Sequence, residues 1–166
     1  AISMGADNLA EMMTAMDSAA MGVVGGEALT EMAGAMTGEA LAGMSSDAAG
    51  AMIETMGADA ALAGMGGEQL GGMLGAMGAG HIGEAFTDQA LTDVAGKMTG
   101  EDVHMLDGES AAMMLEAVIT VMEPGEVGNK GSAVDAGMVA GMLASMDASQ
   151  VLDAITPEMA ADLAGK

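Results

Sequence analysis

Met77 and His81 stand four residues apart in "MGAGH", a spacing that puts a thioether and an imidazole on one face of a helix. Thioether sulfur selects Cu(I) and imidazole accepts copper as well, so this pair is the candidate metal site of the chain. Methionine recurs at the same spacing in Met12 and Met16, Met32 and Met36, Met52 and Met56, and Met73 and Met77. Any of these pairs on one helix face could present two sulfurs to one ion. The same residues have a plainer use, because an unbranched, polarizable side chain fills irregular gaps between closely approaching helices. The second histidine, His104, lies in the next repeat and reads as a surface or hydrogen-bonded residue.

Other chemistry finds no constellation. Glu27 with Glu31, and Glu84 with Asp88, are carboxylates at i, i+4 that read as solvated faces and not as acid–base pairs. "LDGES" at 106–110 is too short for a calcium loop of the EF-hand kind. No "GxSxG", no phosphate-binding glycine loop and no cysteine occurs, and Phe86 is the one aromatic residue. Without rings to stack a base, a sugar or a flat cofactor, the chain is expected not to be an enzyme and to have no catalytic residue.

Charge narrows the partners further. Against 25 Asp and Glu stand 3 Lys and no Arg, giving a formal net charge of -22. Such a field repels phosphate backbones, so nucleic acid is excluded as a partner. The imbalance comes from missing bases, since only 17% of residues are charged. Screening by salt, or by a divalent cation such as Ca²⁺ or Mg²⁺ as the candidate cofactor, should therefore relieve repulsion that few ion pairs offset. The central uncharged run "QLGGMLGAMGAGHIG" at 69–83 falls short of the roughly 20 residues a spanning helix needs, and it is rich in glycine. No membrane span is expected.

The elements that must carry these residues repeat. Segments 6–26, 27–46, 47–67, 68–87 and 88–108 start with an acidic or capping residue, and successive starts at 27, 47, 68 and 88 are 20 or 21 apart. A fixed period of this size signals stacked supersecondary units. Each unit opens with a methionine-bearing run at helical spacing and closes with a shorter one: "GEALAGM", "ADAALAGM", "AGHIGEAF" and "GEDVHML". Thr37, Ser46, Thr87 and Thr99 precede helical runs, with acids in the first turn where capping and the helix dipole favour them. The fold is expected to be all-α, a right-handed solenoid of short helix pairs within a single domain over 1–166. Met32, Met36, Met44, Met52, Met56, Met65, Met73 and Met77 should share its core. Past 108 the rhythm loosens: a longer helix at 109–122, a loop at 124–132 within an irregular stretch 109–132, and terminal helices over 133–166.

The capped stretches "MSSDAAGAMIETM", "LDGESAAMMLEAV" and "ITPEMAADLAG" resemble the helical repeats of the MgtE magnesium-transporter N-terminal domain and the related FliG-like armadillo modules. That resemblance implies a superhelical cytoplasmic module whose acidic surface helps sense Mg²⁺. This chain differs in using Met for Leu and in having far more Gly.

The reading favoured by the residues themselves is a structural, self-associating helical-repeat protein, an extracellular or cell-surface filament or matrix subunit. Its homo-oligomer would form through terminal repeats, with Ile2, Met4 and Leu9 at one end and Met159 and Leu163 at the other. The alternatives are a metal-binding protein using Met and acid for Cu, Mg or Ca, and a cytoplasmic ion-sensing scaffold. The charge predicts that the thermal midpoint rises with ionic strength or added Ca²⁺, as melts at low and high salt will read. An unchanged or lower midpoint in high salt contradicts it.

Overall fold

The computed structural model describes residues 6–122, 134 and 136–155, and within them all regular structure is helical. The elements are α1 (Ala6–Ala15), α2 (Ser18–Val24), α3 (Gly26–Gly34), α4 (Gly38–Ala42), α5 (Ser46–Met56) and α6 (Ala58–Gly64). They continue with α7 (Gly67–Ala85), α8 (Asp88–Ala95), α9 (Gly100–Val103), α10 (Gly108–Val121), α11 (Ala136–Ser145) and α12 (Ala148–Ala154). Each of the first five sequence repeats is thus a longer helix followed by a shorter one. In the fourth, the two halves are joined in α7 across a break at Gly78, where φ is 72° and ψ is 162°. The loop at 124–132 and the final "PEMAADLAGK" lie outside the described residues.

Local chemistry explains why the helices start where they do. Asp17, Thr37, Ser45, Thr87 and Asp107 accept from the backbone N–H three residues on, at 2.8, 3.2, 3.3, 3.3 and 2.7 Å. Each such cap is worth about 1 kcal/mol. At α9 the Asp102 carboxylate accepts both the Thr99 N–H and its O–H, at 2.7 and 2.9 Å. The cap of α5 is Ser45 and not Ser46: the helix begins one residue earlier than the sequence suggests, because the Ser46 hydroxyl is committed elsewhere. Asp147 caps α12, and its carboxyl is held below the ordinary aspartate value first by the Ser149 hydroxyl and then by the Gln150 N–H. That contribution is present above the usual aspartate range and is lost as pH falls through the lowered value.

Packing follows a rule that differs from the sequence period. Helices lie on those two or three further along: α1 on α4, α2 on α5, α3 on α5 and α6, α4 and α5 on α7, α6 on α8, α7 on α9 and α10, α8 on α10, and α9 on α11. From α3 to α8 the bonds that cross these contacts join residues 30 to 35 apart, from Gly38 N–H to Glu68 at one extreme to Lys97 and the Leu62 carbonyl at the other, about one and a half sequence repeats. Farther along, Thr92 reaches the Ala117 carbonyl 25 residues away and Ser145 that of Val103 42 away. Backbones nearly touch at such contacts: a Cβ on Gly72 would collide with the Gly38 carbonyl, and one on Gly67 with that of Lys97.

Such approaches leave uneven gaps, and methionine fills them. Met36, Met44, Met52, Met56, Met65, Met73 and Met77 are buried in one cluster running from Met13 to Met146, and Met32 is half-buried against it. In α1 the inward residue is Met13, while Met12 is exposed, so the i, i+4 face drawn through Met12 and Met16 is rotated by one position. α7 sits among α4, α5, α9 and α10, and its apolar residues accordingly go all round. Gly72→Ala should cost about 1–3 kcal/mol by overpacking. Gly22→Ala, in α2 with nothing within 4 Å, should add roughly 0.5–1 kcal/mol. Denaturant midpoints of the two variants check this, and equal shifts would rule out backbone contact as the cause.

Candidate functional site

The break in α7 adjoins a concave part of the surface. Gly78 turns the chain with a positive φ directly after Met77, whose carbonyl side chains reach. Two donors reach it: the Ser46 hydroxyl at 2.5 Å and His81 Nδ1 at 3.2 Å. A carbonyl only accepts, so that contact requires the hydrogen on His81 Nδ1. Nδ1 also lies 3.1 Å from Ser46 Oγ, which closes a three-membered polar knot between α5 and α7. The imidazole rests on bare backbone, since a Cβ on Gly50 would stand 2.8 Å from its Cδ2.

Beside this knot runs a groove of about 820 Å³. α5 lines it with Asp47, Gly50 and Glu54, which share one helical face, and the second half of α7 adds His81 and Glu84. Asp17, from the α1–α2 joint, faces them. The lining contains four carboxylates and no Lys or Arg, so its potential is negative and suits a cation or a basic side chain. Among the described residues, no group of three or more His, Asp or Glu is placed to hold a metal ion.

The residues singled out by spacing take different places. Met77 is 1% exposed, its side chain within the core, and His81 meets it through the backbone carbonyl. The four-residue spacing implied a shared helical face, but Gly78 breaks the helix between the two residues. His104 is exposed at the end of α9 and is not part of the groove lining. Glu27, Glu31, Glu84 and Asp88 are all exposed.

Spacing did not reveal the residues that tie helices across the contacts. Lys97 donates to the Leu62 and Met65 carbonyls at the end of α6, where a cation favours the helix dipole. Glu68 accepts from Gly38 N–H at 3.0 Å, and Gln69 donates to the Met36 carbonyl at 3.2 Å. The only available signal was an odd polar residue in an otherwise apolar repeat. Ser46→Ala, which leaves the Met77 carbonyl to His81 alone, should cost about 1 kcal/mol, and Gly78→Ala about 1–3 kcal/mol. Calorimetry checks both, and a neutral Gly78→Ala would mean the break is not enforced. No family model, curated protein or solved structure matches the chain.

Proposed function

We propose that this chain is a non-catalytic structural protein: one helical-repeat domain, coiled as a right-handed solenoid, that associates with copies of itself through its ends. The observation that carries this reading is the apolar surface on the first turn of helices. Among the described residues, α1 packs on α4 and α5, and α2 on α3 and α5. There Val23 is 88% exposed and Val24 and Met12 are both 38% exposed, against a core whose methionines are almost wholly covered. A repeat protein kept soluble as a monomer presents polar caps at its ends. Contact between two different ends gives open filaments unless the rotation closes a ring. The net charge of -22 opposes close approach, so assembly should need salt or Ca²⁺, conditions met outside the cytoplasm.

A second reading draws on the acid-lined groove: an ion-sensing scaffold like the magnesium-transporter modules, compacting when Mg²⁺ or Ca²⁺ neutralises Asp17, Asp47, Glu54 and Glu84. Light scattering and electron microscopy of the purified chain, with and without Ca²⁺, separate the two. The structural reading expects particles growing with Ca²⁺ and salt, and loss of growth in Val23→Asp, an exposed position whose change should leave the fold intact. A strict monomer in every condition overturns it, and a monomer whose radius of gyration falls on adding Mg²⁺ favours the scaffold.

A further inference from the structure

We propose that Met105 is an oxidation site whose conversion to the sulfoxide loosens the joint between α7 and α9. The chain has no Cys, Trp or Tyr and has 22 Met, so thioethers are its main oxidisable groups. Most are shielded: fourteen of the described methionines are buried. Met12 is exposed, and Met16, Met32, Met105, Met113 and Met122 are half-buried. Of these five, Met16, Met32, Met113 and Met122 pack against the core cluster, and Met105 is not among them. It lies instead across bare backbone of α7. Its Cε is 3.1 Å from where a Cβ on Gly71 would be, and its carbonyl would collide with a Cβ on Gly75.

Accessibility and consequence thus meet at one sulfur. A hydroperoxide delivers one oxygen atom to the thioether: the S–O bond forms, the O–O bond breaks, sulfur loses two electrons, and hydrogen peroxide leaves as water. The product is larger and polar, and it sits at a contact made by a methyl group on glycine backbone. α9 is only four residues long, yet it bridges α7 and α11, where Gly100 approaches Gly137. So short a helix has few other contacts to hold it, and local opening there should pass to α11.

The test treats the full chain with dilute hydrogen peroxide and follows it by peptide mass mapping and hydrogen exchange. Met105 and Met12 should be oxidised well before Met52 and Met73, and exchange over 99–107 should then rise several-fold. Met105→Leu should abolish the rise while Met12 still oxidises, and Met105→Gln, a polar residue of similar length, should raise exchange without oxidant. Oxidation of Met105 no faster than that of Met73 would overturn the proposal. So would unchanged exchange over 99–107 in both the oxidised chain and Met105→Gln.

Discussion

The structure depends on helix backbones that come into near contact at residues about thirty apart. Gly72 against Gly38, Gly67 against Lys97 and Gly26 against Thr55 are sites where no side chain fits between the two backbones. Glycine inside a helix costs roughly 0.5–1 kcal/mol relative to alanine, so its use here is not a matter of helix propensity. What offsets that cost is dispersion and burial along whole helix faces at short range. Close axes with uneven gaps then select the side chain that fills them. Methionine gives up about 1.5–2 kcal/mol of rotamer entropy on burial against about 0.5–1 for leucine. Its presence at Met52, Met73 and Met142, all fully buried, shows that fit outweighs that difference.

With 3 Lys against 25 Asp and Glu, few ion pairs are open to this chain, and among the described residues backbone groups tie the helices instead. Lys97 bonds two carbonyls of α6, Glu68 takes the N–H of Gly38, and Gln69 reaches the Met36 carbonyl. Asp17, Asp102, Asp107 and Asp147 stand at helix starts, where orphan N–H groups and the dipole welcome negative charge. Part of the acidity is therefore structural. The remainder faces solvent or lines the groove, where Asp47 also sits in the first turn of α5 and Glu54 and Glu84 contribute only field.

Helix pairs, their starts at Thr37, Thr87 and Thr99, and the long helix at α10 could be read from the sequence because caps and periodicity are local. The position of Met105 over Gly71, like that of His81 over Gly50, could not, since both depend on contacts thirty residues away. A rotation of one position put Met13 inside in place of Met12, because adjacent methionines give periodicity nothing to choose between. The Ser45–Ser46 pair posed the same problem, resolved only by the Met77 carbonyl that claims Ser46. Gly78 was hidden among its neighbours: "GAGHIG" carries several glycines, and which one takes a positive φ is set by packing.

The break inside α7 lets one helix serve two layers of the packing. Several contacts join a shorter helix to a longer one: α2 meets α5, α3 meets α6, and α4 meets the first half of α7. The second half of α7, the short member of its pair, meets α5 through Ser46 and Gly50, and the first half meets α9 at Gly71. Long helices thus meet short ones at these contacts, while α3 against α5 and α8 against α10 bring long helices together as well. Because Gly78 separates its two halves, α7 reaches α4 and α9 with the first and α5 with the second, and its side chains are set among four neighbouring helices.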